Sequence, residues 1–175
     1  MTDHIGTTGP APRILGQGSA SVAGLGRIRG GRASFYADPV SWLIAAAARE
    51  AVENSPARVL SRPEDVAVIC VSAQCTTWTM AAVARGLAAE SVSPLRFAGA
   101  NPAAVAGLVC VELGFRGPSL ALPMPPGEGL PPATALARSW LHRGKASAVV
   151  LVTHEPDAAG GHTATATVLG PGERP

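Results

Sequence analysis

Hydrophobic positions change their period several times along this chain, and each change marks an element. After Asp38-Pro39, the residues Trp42, Leu43, Ala46, Ala47, Ala51 and Val52 recur at helical spacing, with Arg49, Glu50 and Glu53 facing away. Asp38 suits the N-cap and Pro39 the first turn. Val66 to Ser72 is almost entirely apolar, which predicts a central strand covered on both faces. Gln74 to Glu90 is predicted helical, capped by Thr76 or Thr77. Asn101-Pro102 opens a further helix, followed at helical spacing by Ala103, Val105, Ala106, Val109, Cys110 and Leu113, with Gly114 as its stop. Ser119 to Met124 is a short apolar run closed by prolines, as in a strand that stops abruptly. Pro131 and Pro132 open a helix through Trp140 that Gly144 ends, and Ala148 to Thr153 is a second uninterrupted apolar strand. His162 to Leu169 alternates small apolar residues with threonine, which predicts a strand with one exposed face at a sheet edge. Arg13 to Val22 reads as a first strand, weakened by its glycines.

This order of strands and helices predicts an α/β fold with one mixed sheet and right-handed crossovers. At 175 residues the chain is expected to form one domain over residues 13–170, with a flexible arm at 1–12 and a tail at 171–175. Hydrophobic residues make up 47% and charged residues 15%, so a substantial core can form. The net charge of +2, with no Lys/Arg run, argues against nucleic acid as a partner. No apolar run is long enough to span a membrane. Three cysteines, Cys70, Cys75 and Cys110, have no metal-ligand spacing, so no metal is expected. Their odd number, with no secretion signal, fits a reducing cytoplasm. The stretch Gly24 to Arg32 is rich in glycine but lacks the Lys-Ser/Thr ending of a phosphate loop, and no cofactor is expected.

The histidines are His4, His142, His154 and His162. His154 and Glu155 follow a predicted strand's C-terminal end, where open α/β sheets place their sites, and such a pair suits acid/base work. Neighbours on an extended chain point to opposite sides, which counts against the pair acting together. Trp78 and Met80 are read as packing residues, with a cavity lining as the alternative.

The ordered series Ser93-Pro94, the Asn101 helix with Gly107, Leu113-Gly-Phe-Arg-Gly-Pro-Ser119, Arg143-Gly144 and Val149-Val-Leu-Val-Thr-His-Glu-Pro156 resembles the N-terminal half of the β-ketoacyl synthases. The short tail is closer to the truncated, chain-length-factor-like branch found beside type II polyketide or aryl-polyene synthases. The resemblance implies half of a thiolase-like fold: a five-stranded sheet of order 3-2-1-4-5 with the last strand antiparallel. It places the catalytic cysteine of active members at Pro126 or Gly127, and neither residue carries a nucleophile. Glu128, His154 and Glu155 remain as candidates for residual chemistry. In the family, the strand matching Ser119, Leu120, Ala121, Leu122 and Met124 pairs across a two-fold axis, so these residues are the expected dimer interface, and the face left bare by a missing second half is expected to need a cover. The implied function is that of a non-catalytic subunit, in a homodimer or in a heterodimer with a ketosynthase. Acyl carrier protein is a further partner, docked on Arg85, Arg96, Arg116, Arg138, Arg143 and Lys145 if these share a surface. The alternatives are a small repurposed cyclase, transferase or thioesterase acting on carrier-bound acyl chains, or a freestanding homodimer that binds an acyl chain or carrier.

Overall fold

The computed structural model of the chain describes residues 10–28, 37–59, 61–89, 91 and 93–172. The expected arm up to residue 9, the Arg29 to Arg32 part of the glycine-rich stretch and the tail beyond Gly172 lie outside the described residues.

Five strands form one mixed sheet: β1 (Arg13–Val22), β2 (Val66–Ser72), β3 (Ser119–Leu122), β4 (Ala148–Pro156) and β5 (His162–Gly170). Their spatial order is β1-β5-β4-β2-β3. β2 pairs in parallel with β3 and β4, whereas β5 runs antiparallel to both β4 and β1. The mixed sheet and its antiparallel last strand are as expected, but the order 3-2-1-4-5 is not. β1 stands at an edge instead of between β2 and β4. The reason is chemical: Gln17, Ser19 and Ser21 face water from β1, whereas a strand between β2 and β4 would lie under helices on both faces and would have to be apolar on both, as β2 and most of β4 are. β5 alternates as expected, yet it is an inner strand. Its pattern reports one uncovered face, while both of its hydrogen-bonding edges are occupied.

Helix α1 (Pro39–Glu53) starts as its sequence requires, with Asp38 accepting the Val40 N–H at 2.9 Å. It buries Ile44, Ala47, Ala48 and Ala51 against β1, β5 and β4, while Ala46 faces outward. Gly16 and Gly18 in β1 bring the two backbones close together; a Cβ at Gly18 would lie 2.4 Å from Ala51 N. The glycines that weaken the strand reading are therefore the places where the helix lands. Helices α2 (Thr77–Ala88), α3 (Pro94–Gly99) and α4 (Ala104–Leu113) connect β2 to β3. α3 is a short separate helix with no counterpart among the elements that the hydrophobic pattern predicts. Asn101 caps the turn before α4, accepting the Ala103 N–H at 2.9 Å, and Gly114 closes α4 at φ 71°.

Helix α5 (Pro126–His142) begins five residues before the predicted start and carries Pro131 and Pro132 inside it. Proline at such positions removes helix hydrogen bonds, but the carbonyls left without donors belong to Gly127 and Glu128, which are exposed. The opposite side packs tightly: Pro126, Gly129, Ala133 and Ala137 are buried, and a Cβ at Gly129 would meet Val71 Cγ1 at 2.3 Å. Packing against β2 outweighs the local preference.

Two cores result, one between the sheet and α1 with α4, the other between α5 and strands β2 and β4. On the α5 side, the outer half of the sheet carries Gln17, Ser19, Ser21, Thr163 and Thr165, all exposed, with Ser21 and Thr163 hydrogen-bonded at 2.9 Å. This uncovered part of the sheet is hydroxylated and suits water as it stands.

Candidate functional site

The sheet brings one buried polar chain together where the parallel strands β2 and β4 finish. Beyond this point the chain passes from β2 toward β3 and from β4 toward β5, in opposite directions, and such reversals are where open α/β sheets place their sites. Ser72 closes the apolar strand β2 and lies opposite His154 of β4. Its Oγ is 2.9 Å from His154 Nδ1, and His154 Nε2 is 3.1 Å from His162 Nδ1 on β5. The two rings are parallel to within 3° with centroids 5.3 Å apart. That separation equals the hydrogen bond plus one ring radius at each end, so the rings meet edge to edge in one plane. Ser72 is fully buried, His154 is 1% exposed and His162 9%.

The turn from β2 into α2 completes the chain. Cys75 N–H donates to Ser72 Oγ at 2.9 Å, and the Cys75 thiol donates to Ser72 O at 3.0 Å. Cys75 holds φ 39°, uncommon for a residue with a side chain. Asp38 anchors the same turn region, accepting Thr79 N–H at 2.8 Å while it caps α1. Burial, followed by the neighbouring His162, pushes His154 down to about 4, so it is neutral at pH 7. Burial likewise raises the thiols of Cys70, Cys75 and Cys110 above their usual range, leaving them poor nucleophiles at neutral pH.

His154 and Glu155 are not brought together: the histidine is buried and the carboxylate exposed. The partners of His154 are Ser72 and His162. The sequence carries a signal for the second, because two histidines flanking a short turn with Gly160-Gly161 fall on adjacent antiparallel strands. Ser72 had no such signal, since its contact with His154 spans 82 positions of sequence.

Pro126 is the buried first residue of α5, and Gly127 and Glu128 are exposed beside it. β3 is the sheet edge opposite β1 and pairs with β2 alone, with Ser119 exposed and Leu120, Ala121, Leu122 and Met124 half-buried. Ala121 packs into the α1-side core, and Leu122 and Met124 pack against the α5-side core. The basic residues do not share one surface. Arg116, Arg143 and Lys145 precede β3 and β4, at the end where the parallel strands begin, whereas Arg85 and Arg96 lie on α2 and α3.

The exposed apolar surface is concentrated on α2 and α3. Trp78, Met80, Leu87, Leu95 and Phe97 are between 49% and 66% exposed. A groove of about 420 Å³ runs between the helices, lined by Met80, Val83, Ala84, Leu87, Phe97 and Asn101 among others. Trp78 and Met80 are thus not core residues; Met80 lines the groove. Among the described residues no group of three or more His, Cys, Asp or Glu side chains is placed to hold a metal, and no helix is long and apolar enough to cross a membrane.

No protein-family model matches the sequence, and no curated protein matches it. The fold, in contrast, matches solved structures over nearly the whole chain. The ishigamide ketosynthase/chain length factor aligns with TM-score 0.70 at 14% identity, covering 91% of this chain and 62% of the matched one. A type II polyketide acyl-carrier protein in complex with its ketosynthase bound to the hexaketide gives TM-score 0.68 at 13% identity, covering 94% and 63%. The ketosynthase ApeO in complex with its chain length factor ApeC from Xenorhabdus doucetiae gives 0.61 at 15%, covering 93% and 79%. The chain spans less than two thirds of the length of the first of these. It is a thiolase-like half domain, an α/β unit with the fold that ketosynthase structures use for about half of their length or more.

Proposed function

We propose that the chain is a non-catalytic ketosynthase-like subunit of a type II polyketide or fatty-acid-like pathway, acting by pairing with an active ketosynthase. The observation that carries this reading is the start of α5. A helix N-terminus in the position expected of the nucleophile is kept, but Pro126, Gly127 and Glu128 occupy it without a thiol or hydroxyl. Support for a partner comes from α2 and α3, whose exposed large apolar side chains form a patch of the kind that soluble proteins use for contact. Proteins of this fold are solved as complexes with a chain length factor and with an acyl-carrier protein. Arg85 and Arg96, exposed on the same two helices, suit an acidic carrier or partner rim.

The test has two arms. Incubation with acylated carrier protein, followed by intact-mass measurement, is expected to leave the chain unmodified; a stoichiometric adduct on one cysteine or serine contradicts the non-catalytic reading. Light scattering with a type II ketosynthase of the same organism is expected to show a stable complex, and two unassociated species contradict the pairing. A second reading, a small enzyme acting on carrier-bound acyl chains, has one observation in its favour: Ser72, His154 and His162 stand at the distances of a nucleophile, its base and an orienting group. The complete burial of Ser72 sets this reading second.

A further inference from the structure

The Ser72–His154–His162 chain has a direction that its hydrogen bonds determine. Ser72 Oγ already accepts the Cys75 N–H, so its own proton is free to point at His154 Nδ1. His154 then carries its proton on Nε2 and donates it to His162 Nδ1, which leaves the His162 proton on Nε2. The neutral network is satisfied from the Cys75 amide through to His162. One added proton reverses it: with His162 protonated on both nitrogens, Nδ1–H must donate to His154 Nε2, and His154 must turn its proton to Nδ1 against Ser72. The Ser72 hydroxyl then has to accept from both sides and redirect its own proton. A second added proton sets two N–H groups against each other at 3.1 Å, a contact that breaks the network.

We propose that this network is an acid-sensitive latch that holds the turn into α2, so that protonation of the histidine pair releases the N-terminus of that helix. Its position supports this. The pair bridges β4 and β5, and Ser72 passes the bridge to the Cys75 backbone, where the chain is held at a positive φ just before α2. Among the described residues, neither ring is hydrogen-bonded to a carboxylate that would pair with an imidazolium. Asp38 from the α1 N-terminus is taken up by the amides of Val40 and Thr79. Asp157 in the β4–β5 turn is taken up by the amides of Ala159 and Gly161, Glu155 of β4 is exposed on the other side, and the Cys75 thiol from the α2 turn is neutral. Burial and the second ring already disfavour a charge on His154. α2 also carries part of the apolar groove, so if α2 is a docking helix, as proposed above, acid weakens the docking; this consequence rests on that reading, whereas the latch does not.

The experiment is a nitrogen NMR titration of the isolated wild-type chain from pH 7.5 downward, following the ring nitrogens of His154 and His162 and the backbone amides of Cys75 to Met80. At the upper limit His154 is expected as the neutral Nε2–H tautomer. On acidification the Cys75 to Met80 amides are expected to shift with the same midpoint as His154, well below the ordinary histidine value. In a His162→Gln chain a side-chain carbonyl accepts from His154 Nε2–H in either charge state, so the opposed N–H contact cannot form and the low-pH shift of those amides is expected to shrink. The latch is overturned if His154 titrates at the ordinary histidine value, or if the amides stay still while His154 protonates. Because no partner is present, failure to bind a ketosynthase leaves this result untouched, and the reverse also holds.

Discussion

Gly18→Ala tests the contact on which the α1 side of the sheet is built. The added methyl would lie 2.4 Å from Ala51 N, 2.7 Å from Ala47 O and 2.8 Å from Glu50 C. All three are backbone atoms of α1, so no side chain can swing aside; helix or strand must shift. The helix cannot shift alone, because Ile44, Ala47, Ala48 and Ala51 are wholly buried beneath it. Overpacking of this kind costs about 1–3 kcal/mol, against which the lower entropy of the unfolded alanine chain returns about 0.4–1 kcal/mol. At roughly 2–4 °C per kcal/mol for a chain of this size, the melting temperature should fall by several degrees. Gly24→Ala is the control. Gly24 is in extended backbone at φ 172°, nothing lies within 4 Å of its added Cβ, and its melting temperature should hold or rise slightly. Thermal unfolding followed by far-UV circular dichroism compares the two variants. If Gly18→Ala melts with Gly24→Ala, the close contact between β1 and α1 is not a determinant of this fold.

Gly117→Val should also destabilise, by about 1 kcal/mol or more, because its Cβ would lie 2.5 Å from Val66 O; an unchanged urea midpoint would refute the close approach. Stability should fall as the pH drops from about 6.5 toward 4: in that window the unfolded chain binds a proton at His154 that the folded chain refuses, a loss on the order of 3 kcal/mol at most, and a melting temperature flat across it would contradict the burial argument. If β3 pairs across a two-fold axis, burying roughly 2,000 Å² or more in total, the wild type should be dimeric by light scattering unless a ketosynthase takes that edge. Leu122→Asp should abolish the dimer, with far-UV circular dichroism confirming that the variant is still folded; a wild type that is monomeric at high concentration and binds no synthase component removes this role for β3.

Local chemistry decided most element identities by itself. Asp38-Pro39 starts a helix because an acceptor side chain and a fixed φ meet the needs of a first turn, and Gly114 ends one because it tolerates φ 71°. The continuous apolar runs of β2 and β4 could only be covered strands, and the Thr alternation of β5 could only leave one face to water. Whatever depended on partners distant in sequence was decided by the tertiary structure. The order of the sheet placed β1 at the rim, since its Ser and Gln face has no helix over it. The start of α5 moved back to Pro126 because packing on Val71 outweighs two internal prolines, a balance that no local preference reveals. The buried network is the clearest case: Ser72, His154 and His162 are unremarkable residues on three strands, and only the register of β2 with β4 and of β4 with β5 sets them at hydrogen-bonding distance.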